Sequence, residues 1–186
     1  MIFTETKVAG AFLIQPQLLE DDRGFFARTY CVRELEARNI SPQVVQRSIS
    51  YNRLRGTLRG LHFQLPPHEE NKFVSCIRGS VYDVIVDLRP ASSTFRTWFA
   101  TVLSADALSS LYVPQGCAHG FITLADSTTV QYDISEFYDA SSAHGIRYDD
   151  PAFGIEWPMP PVVMGPRDLG FSRWSPPAGA PFRGNP

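Results

Sequence analysis

Apolar positions along the chain recur mostly with a period of two, in short runs cut by glycine and proline. Residues 81–88, VYDVIVDL, are the clearest case: Tyr82, Val84, Val86 and Leu88 share one face, and Val81, Asp83, Ile85 and Asp87 the other. That alternation is the mark of a β-strand. Residues 73–77 form a second run, and the Gly79 turn between the two predicts a hairpin. Further strands are expected at 11–14, 43–51, 97–103, 110–113, 119–124 and 128–135. Helical character is confined to residues 32–39, with one more turn expected at 105–108. Many short strands with almost no helix predict an all-β sandwich or barrel of jelly-roll type rather than a βαβ fold. From Arg173 the segment RWSPPAGAPFRGNP holds too much proline and glycine to pair or to coil. Residues 1–172 therefore read as one domain and 173–186 as an irregular tail.

Composition narrows the partners. Lys and Arg total 17 against 19 Asp and Glu, a formal net charge of -2, so the basic field of a nucleic-acid binder is missing. No apolar run approaches the roughly 20 residues of a membrane-spanning helix. Cys31, Cys76 and Cys117 are odd in number and far apart, neither a disulfide framework nor a paired metal motif. Residues 1–14 place an acidic residue before Lys7 and sustain no apolar stretch, unlike a secretory signal. A reducing, cytoplasmic setting is expected.

Three polar clusters carry candidate chemistry. In residues 55–64, RGTLRGLHFQ, a strand would set Arg59, Leu61 and Phe63 against Gly60, His62 and Gln64, so that His62 and Gln64 share a side. A lone histidine is more often a satisfied structural residue, yet glycines, arginines and a glutamine around it are not a set that packing asks for. In residues 113–121, VPQGCAHGF, a Pro-x-Gly turn leads to His119. In residues 128–138, TTVQYDISEFY, Val130, Tyr132 and Ile134 share a face. Tyr132 is then either a core tyrosine or, in a barrel, a group inside the cavity. Tyr138 is either a rim aromatic or a surface on which a nucleobase stacks.

The second cluster resembles the second cupin motif, and GLHFQ with Glu69 or Glu70 resembles a degenerate first one. Gln64 stands where metal-binding cupins have a second histidine, leaving at most His62, one glutamate and His119 as ligands. An amide replaces imidazole poorly on a first-row metal, and Lys72 adds charge repulsion, so no metal is expected.

Taken together, Asp22-Arg23-Gly24-Phe25-Phe26, GTLRGLHFQ (56–64), Lys72, RGSVYDVIVDLR (78–89), VPQGCAHGF and GIRYDDPAFGIEWP (145–158) resemble the dTDP-4-dehydrorhamnose 3,5-epimerases. The resemblance runs from about Phe3 to Leu169. It implies a cupin-type jelly roll that inverts C3, C5 or both of a nucleotide-linked 4-keto-6-deoxy sugar without a cofactor. It also implies roles: His62 as general base, Tyr132 as general acid, Asp168 as the carboxylate paired with the base, and Lys72 as the cation near the keto oxygen. Arg23, Phe26, Gln46, Arg59, His119 and Arg167 would contact the substrate, most simply a dTDP sugar, and Tyr138 would stack on its base. A homodimer with exchanged N-terminal strands is implied as well.

Competing readings are a metal-dependent cupin isomerase or oxygenase, a ketoisomerase on the same fold, and a binding module that has lost catalysis. The joint presence of His62, Lys72, Tyr132 and Asp168 favours the epimerase. Better-known members carry Glu where this chain has Arg28, Glu where it has Ala143, and Lys where it has Arg167. They also carry a Gln-x-Asn element where a gapless alignment puts residues 47–49, beside Gln46.

Overall fold

A computed structural model describes residues 1–174; apart from Arg173 and Trp174, the segment read as a tail lies outside the described residues. The chain runs β1 (Ile2–Glu5), β2 (Phe12–Gln15), β3 (Leu18–Asp21), β4 (Gly24–Ala27), α1 (Val32–Glu36), β5 (Gln46–Asn52), β6 (Thr57–Gln64) and β7 (Lys72–Arg78). It continues through β8 (Ser80–Asp87), β9 (Trp98–Ser104), β10 (Ser110–Val113), β11 (Cys117–Thr123), β12 (Thr128–Ile134), β13 (Ala143–Gly145), β14 (Val163–Met164) and α2 (Pro166–Leu169). One sheet has the order β1-β2-β10-β7-β12-β5 and the other β13-β6-β11-β8-β9, with β14 beside β6; β3 and β4 pair only with each other. The architecture is the expected all-β sandwich with short helices.

Inward side chains from both sheets, among them Val74, Cys76, Val81, Ile85, Leu111, Phe121 and Val130, make one core. Strand β8 is buried on both faces: Val84 and Val86 on its other side lie beneath Ile146 and Phe153. This is why its run is apolar at nearly every position. Among the described residues no helix is long and apolar enough to cross a membrane.

Several local expectations are corrected. β7 and β8 do not form a hairpin: β7 lies between β10 and β12, while β8 lies between β9 and β11. Gly79 does mark a turn, but that turn hands the chain from one sheet to the other, because both strands have an apolar face to bury in the same core. Helix α1 ends at Glu36, before Asn39, which takes φ 57° while the Ile40 amide bonds the Leu35 carbonyl at 3.1 Å. Residues 105–108 form a turn that Leu108 closes with φ 52°, not a helix. Strands β1, β3, β4, β13 and β14 were not foreseen; four residues or fewer give no readable period.

The irregularity that matters most lies between β6 and β11. His62 pairs with His119 and Arg59 with Phe121, so Gly60 and Leu61 together face Gly120 alone. This is a β-bulge, and it breaks the alternation expected for residues 59–64. Gly60 takes φ 131°, and a β-carbon there would stand 2.5 Å from the Gly120 α-carbon. Gly60→Ala is therefore expected to destabilise the protein by about 1–3 kcal/mol from backbone strain alone. Urea unfolding measures this, and an unchanged midpoint would contradict the close approach.

Candidate active site

Strands β6, β7, β11 and β12 set His62, Lys72, His119 and Tyr132 around a cavity of about 250 Å³, which Ser50, Arg59, Phe121 and Ile134 complete. A second cavity of about 180 Å³ shares His62, Lys72 and Ile134 and extends past Gln46, Gln64, Glu70, Tyr138, Ala143 and Arg167. His62 and Gln64 thus face the same space, as the period of two predicts. Arg59 joins them because of the bulge. A larger cavity of about 590 Å³, between Tyr82, Trp98, Phe99 and Phe153, is lined by neither histidine nor carboxylate.

His62 is held from two sides. Its Nε2 lies 2.7 Å from Asp168 Oδ1, and the other Asp168 oxygen accepts the Gly60 amide at 3.1 Å. A carboxylate on Nε2–H leaves Nδ1 as the basic nitrogen. The Phe171 ring stands edge-on to the imidazole at 5.7 Å. Gly145, opposite His62 on β13, makes room for it, since a β-carbon there would collide with that ring. Burial alone would raise the Asp168 carboxyl. The His62 hydrogen bond and charge, the Gly60 amide and Arg167 outweigh it and hold the group below the usual carboxylate range.

Lys72 Nζ lies 2.8 Å from Glu70 Oε1 and points more weakly, at 3.4 Å, to the His62 carbonyl. Glu70, weighed above as a metal ligand, is thus turned to a cation. The Tyr132 hydroxyl is 3.1 Å from Ser50 Oγ, and its ring meets His119 edge-on at 6.1 Å. Burial lifts the Tyr132 phenol far above its ordinary value; Ser50 offsets part of this, the Asp83 charge adds to it and Arg59 opposes it. His119 Nε2 lies 3.1 and 3.0 Å from the two oxygens of buried Asp83. Arg59 Nε donates to the neutral Asn52 Oδ1 at 2.7 Å.

Recognition residues divide into those the fold gathers and those it does not. Gln46 Oε1 accepts the Tyr138 amide at 2.8 Å, while the Arg167 guanidinium donates to the Ala143 carbonyl at 3.2 Å. Gln46 and Ser50 both line the site and Arg47 pairs with Asp133. Gln46, one residue before the position a gapless alignment gives to the Gln-x-Asn element, is thus the residue of this stretch that the second cavity shares with Tyr138. Arg23 and Phe26 reach neither cavity: Arg23 pairs with exposed Asp21 at 2.5 Å, and Phe26 is 68% exposed on the β3–β4 hairpin. Strands β1 and β2, the expected exchanged segment, are tied to their own sheet through β10. Asp83, Ser50 and Phe171 went unassigned in the sequence. Only Asp83 left a signal, a carboxylate on the inward face of an apolar strand.

A family model described as dTDP-4-dehydrorhamnose 3,5-epimerase matches residues 5–175. The dTDP-4-dehydrorhamnose 3,5-epimerase of Sinorhizobium fredii is 38% identical over 169 residues, 90% of this chain and 87% of that one. A solved dTDP-4-dehydrorhamnose 3,5-epimerase of Bacillus anthracis, with TDP and PPi bound, matches with a TM-score of 0.89 at 39% identity, over 93% of this chain and 99% of the other. A dTDP-6-deoxy-D-glucose-3,5-epimerase of Legionella pneumophila in complex with dTDP-4-keto-L-rhamnose gives 0.86 at 32% identity over 92% of each chain. Sequence and fold agree over nearly the whole length, and the chain belongs to the dTDP-4-dehydrorhamnose 3,5-epimerase family.

Proposed function

We propose that this protein inverts C3, C5 or both of a dTDP-linked 4-keto-6-deoxy sugar by proton transfer. The observation that carries the reading is one cavity lined by a carboxylate-paired imidazole, a partly buried phenol and a lysine. A ketone at C4 acidifies the C–H bonds at C3 and C5, because the carbanion delocalises onto oxygen. His62 takes the proton, the electron pair moves to the C4 oxygen, and Asp168 stabilises the imidazolium that forms. Lys72 donates to the developing enolate oxygen, a contribution of about 2.7–4 kcal/mol for a preorganised donor. Tyr132, kept protonated by burial, delivers a proton to the opposite face of the carbon, which inverts it. Solvent then reprotonates the phenolate and takes the proton from His62. Arg59, whose partner is a neutral amide, keeps its charge for the substrate's anionic groups. The exposed Tyr138 ring at the mouth of the second cavity suits stacking on the base.

We further infer a homodimer in which the β3–β4 hairpin crosses to a second copy and carries Arg23 and Phe26 to its site. Leu18, Leu19, Phe25 and Phe26 on that hairpin are 44%, 66%, 54% and 68% exposed, an apolar arm with no partner among the described residues. The open edge of β5, with Ile49 and Tyr51 exposed, is the kind of strand edge that such an arm covers. Three free cysteines fit a reducing cytoplasm.

His62→Asn is expected to cut solvent-deuterium exchange beside the keto group by about 10²–10⁴-fold; exchange at the wild-type rate, read by NMR, would remove His62 from the base role. Tyr132→Phe should lose net inversion yet keep exchange on the His62 side, and normal epimerisation by that variant would assign the acid elsewhere. Because the folded Asp168 carboxyl lies below its unfolded value, its stabilising ionisation is complete above the ordinary 3.8 and lost as pH falls through the lowered folded value. The gap in Tm between wild type and Asp168→Asn should therefore persist from neutral pH down to that region and close below it; a gap indifferent to acid is the contrary result. Mixing inactive Arg23→Ala with inactive His62→Asn protein, after subunit exchange, should restore activity that neither parent has. No recovery would place Arg23 outside the partner's site.

A further inference from the structure

The reaction drawn above leaves unused the buried carboxylate that lines the second cavity. Glu70 precedes β7 by two residues, and its side chain is 6% exposed. Its Oε1 holds Lys72 Nζ at 2.8 Å, while its Oε2 is buried and has no hydrogen-bond partner. Buried ion pairs are tolerable when their remaining lone pairs are satisfied, and an unsatisfied carboxylate oxygen is costly. Glu70 lines the cavity that also holds His62, Lys72 and Tyr138, so a donor on a bound ligand reaches it from there.

Lys72 dictates which donor. In the epimerase reading, on which this inference rests, the lysine faces the C4 oxygen of the sugar. The nearest donor to that oxygen within the sugar is the hydroxyl on C3. An α-hydroxy ketone presents an acceptor and a donor side by side, and the Lys72–Glu70 pair presents a donor and an acceptor in the complementary order. We propose that Glu70 determines specificity for a C3 hydroxyl: Oε2 accepts the hydrogen bond from that group while Oε1 keeps Lys72 on the carbonyl oxygen. A 3-deoxy sugar would leave Oε2 buried and unpaired, so the site selects against it by the mechanism through which hydrogen-bonding sites reject analogues lacking the group.

The test compares a dTDP-linked 4-keto-6-deoxy sugar with its 3-deoxy analogue by deuterium exchange at C3 and C5, carbons both possess, in wild type, Glu70→Ala and Glu70→Gln. Wild type is expected to lose about tenfold or more in kcat/KM when the hydroxyl is removed. Glu70→Ala should treat the two sugars alike, and Glu70→Gln, which keeps the volume and an acceptor for Lys72, should discriminate less than wild type. Equal sensitivity to the hydroxyl in wild type and in whichever variant folds, judged by circular dichroism, overturns the inference alone. It would reduce Glu70 to an anchor for Lys72, with kcat lowered equally on both sugars. No exchange by wild type at either C3 or C5 of the parent sugar overturns the epimerase reading and the inference with it.

Discussion

Where β6 passes β11, Gly60 and Gly120 meet backbone to backbone, with no room for a side chain on either. The extra residue that β6 carries there turns Arg59, before it, and His62, after it, toward the same interior. A regular strand would have set them on opposite faces. The same bend presents the Gly60 amide to one oxygen of Asp168, whose other oxygen takes His62. One local departure from ladder geometry thus positions the imidazole, its carboxylate and a guanidinium together.

Two histidine–aspartate pairs then serve different ends because their surroundings differ. His119 and Asp83 are sealed, with side chains 5% and 0% exposed. Together they fix the ring against which Tyr132 packs. His62 is 38% exposed and Asp168 only 9%. That imidazole can meet a substrate and return its proton to water while its partner stays dry, an assignment of roles by environment rather than by residue type. Tyr132 completes the contrast, since burial favours its neutral form and makes it a donor.

The strands that carry chemistry were legible because they are long. β6, β7, β8, β11 and β12 each run seven or eight residues, enough for a period of two to set Asp83 on one face with Val81 and Ile85, and Tyr132 on one face with Val130 and Ile134. The bulge was not legible, since it depends on a glycine of β11 far along the chain. Nor was the crossing at Gly79 from one sheet to the other, which tertiary burial decides. Asp168 had no local signal at all: it sits on a four-residue helix, 106 positions from its partner, and only the family resemblance pointed to it. The β3–β4 hairpin is hidden for the opposite reason, as a short exposed element whose apolar residues pack against no other element among the described residues.

The departures from the resemblance fall outside the cavity that Lys72, His119 and Tyr132 line together. Arg28 lies on the surface within 3.8 Å of Glu34, and Arg47 turns to Asp133. The other two departures meet each other. The resemblance sets Ala143 where better-known members carry Glu and Arg167 where they carry Lys, and here the Arg167 guanidinium rests on the Ala143 carbonyl while both line the second cavity. The Arg167 charge also helps hold the Asp168 carboxyl ionised. One arginine thus borders the second cavity and acts on the carboxylate that pairs with His62.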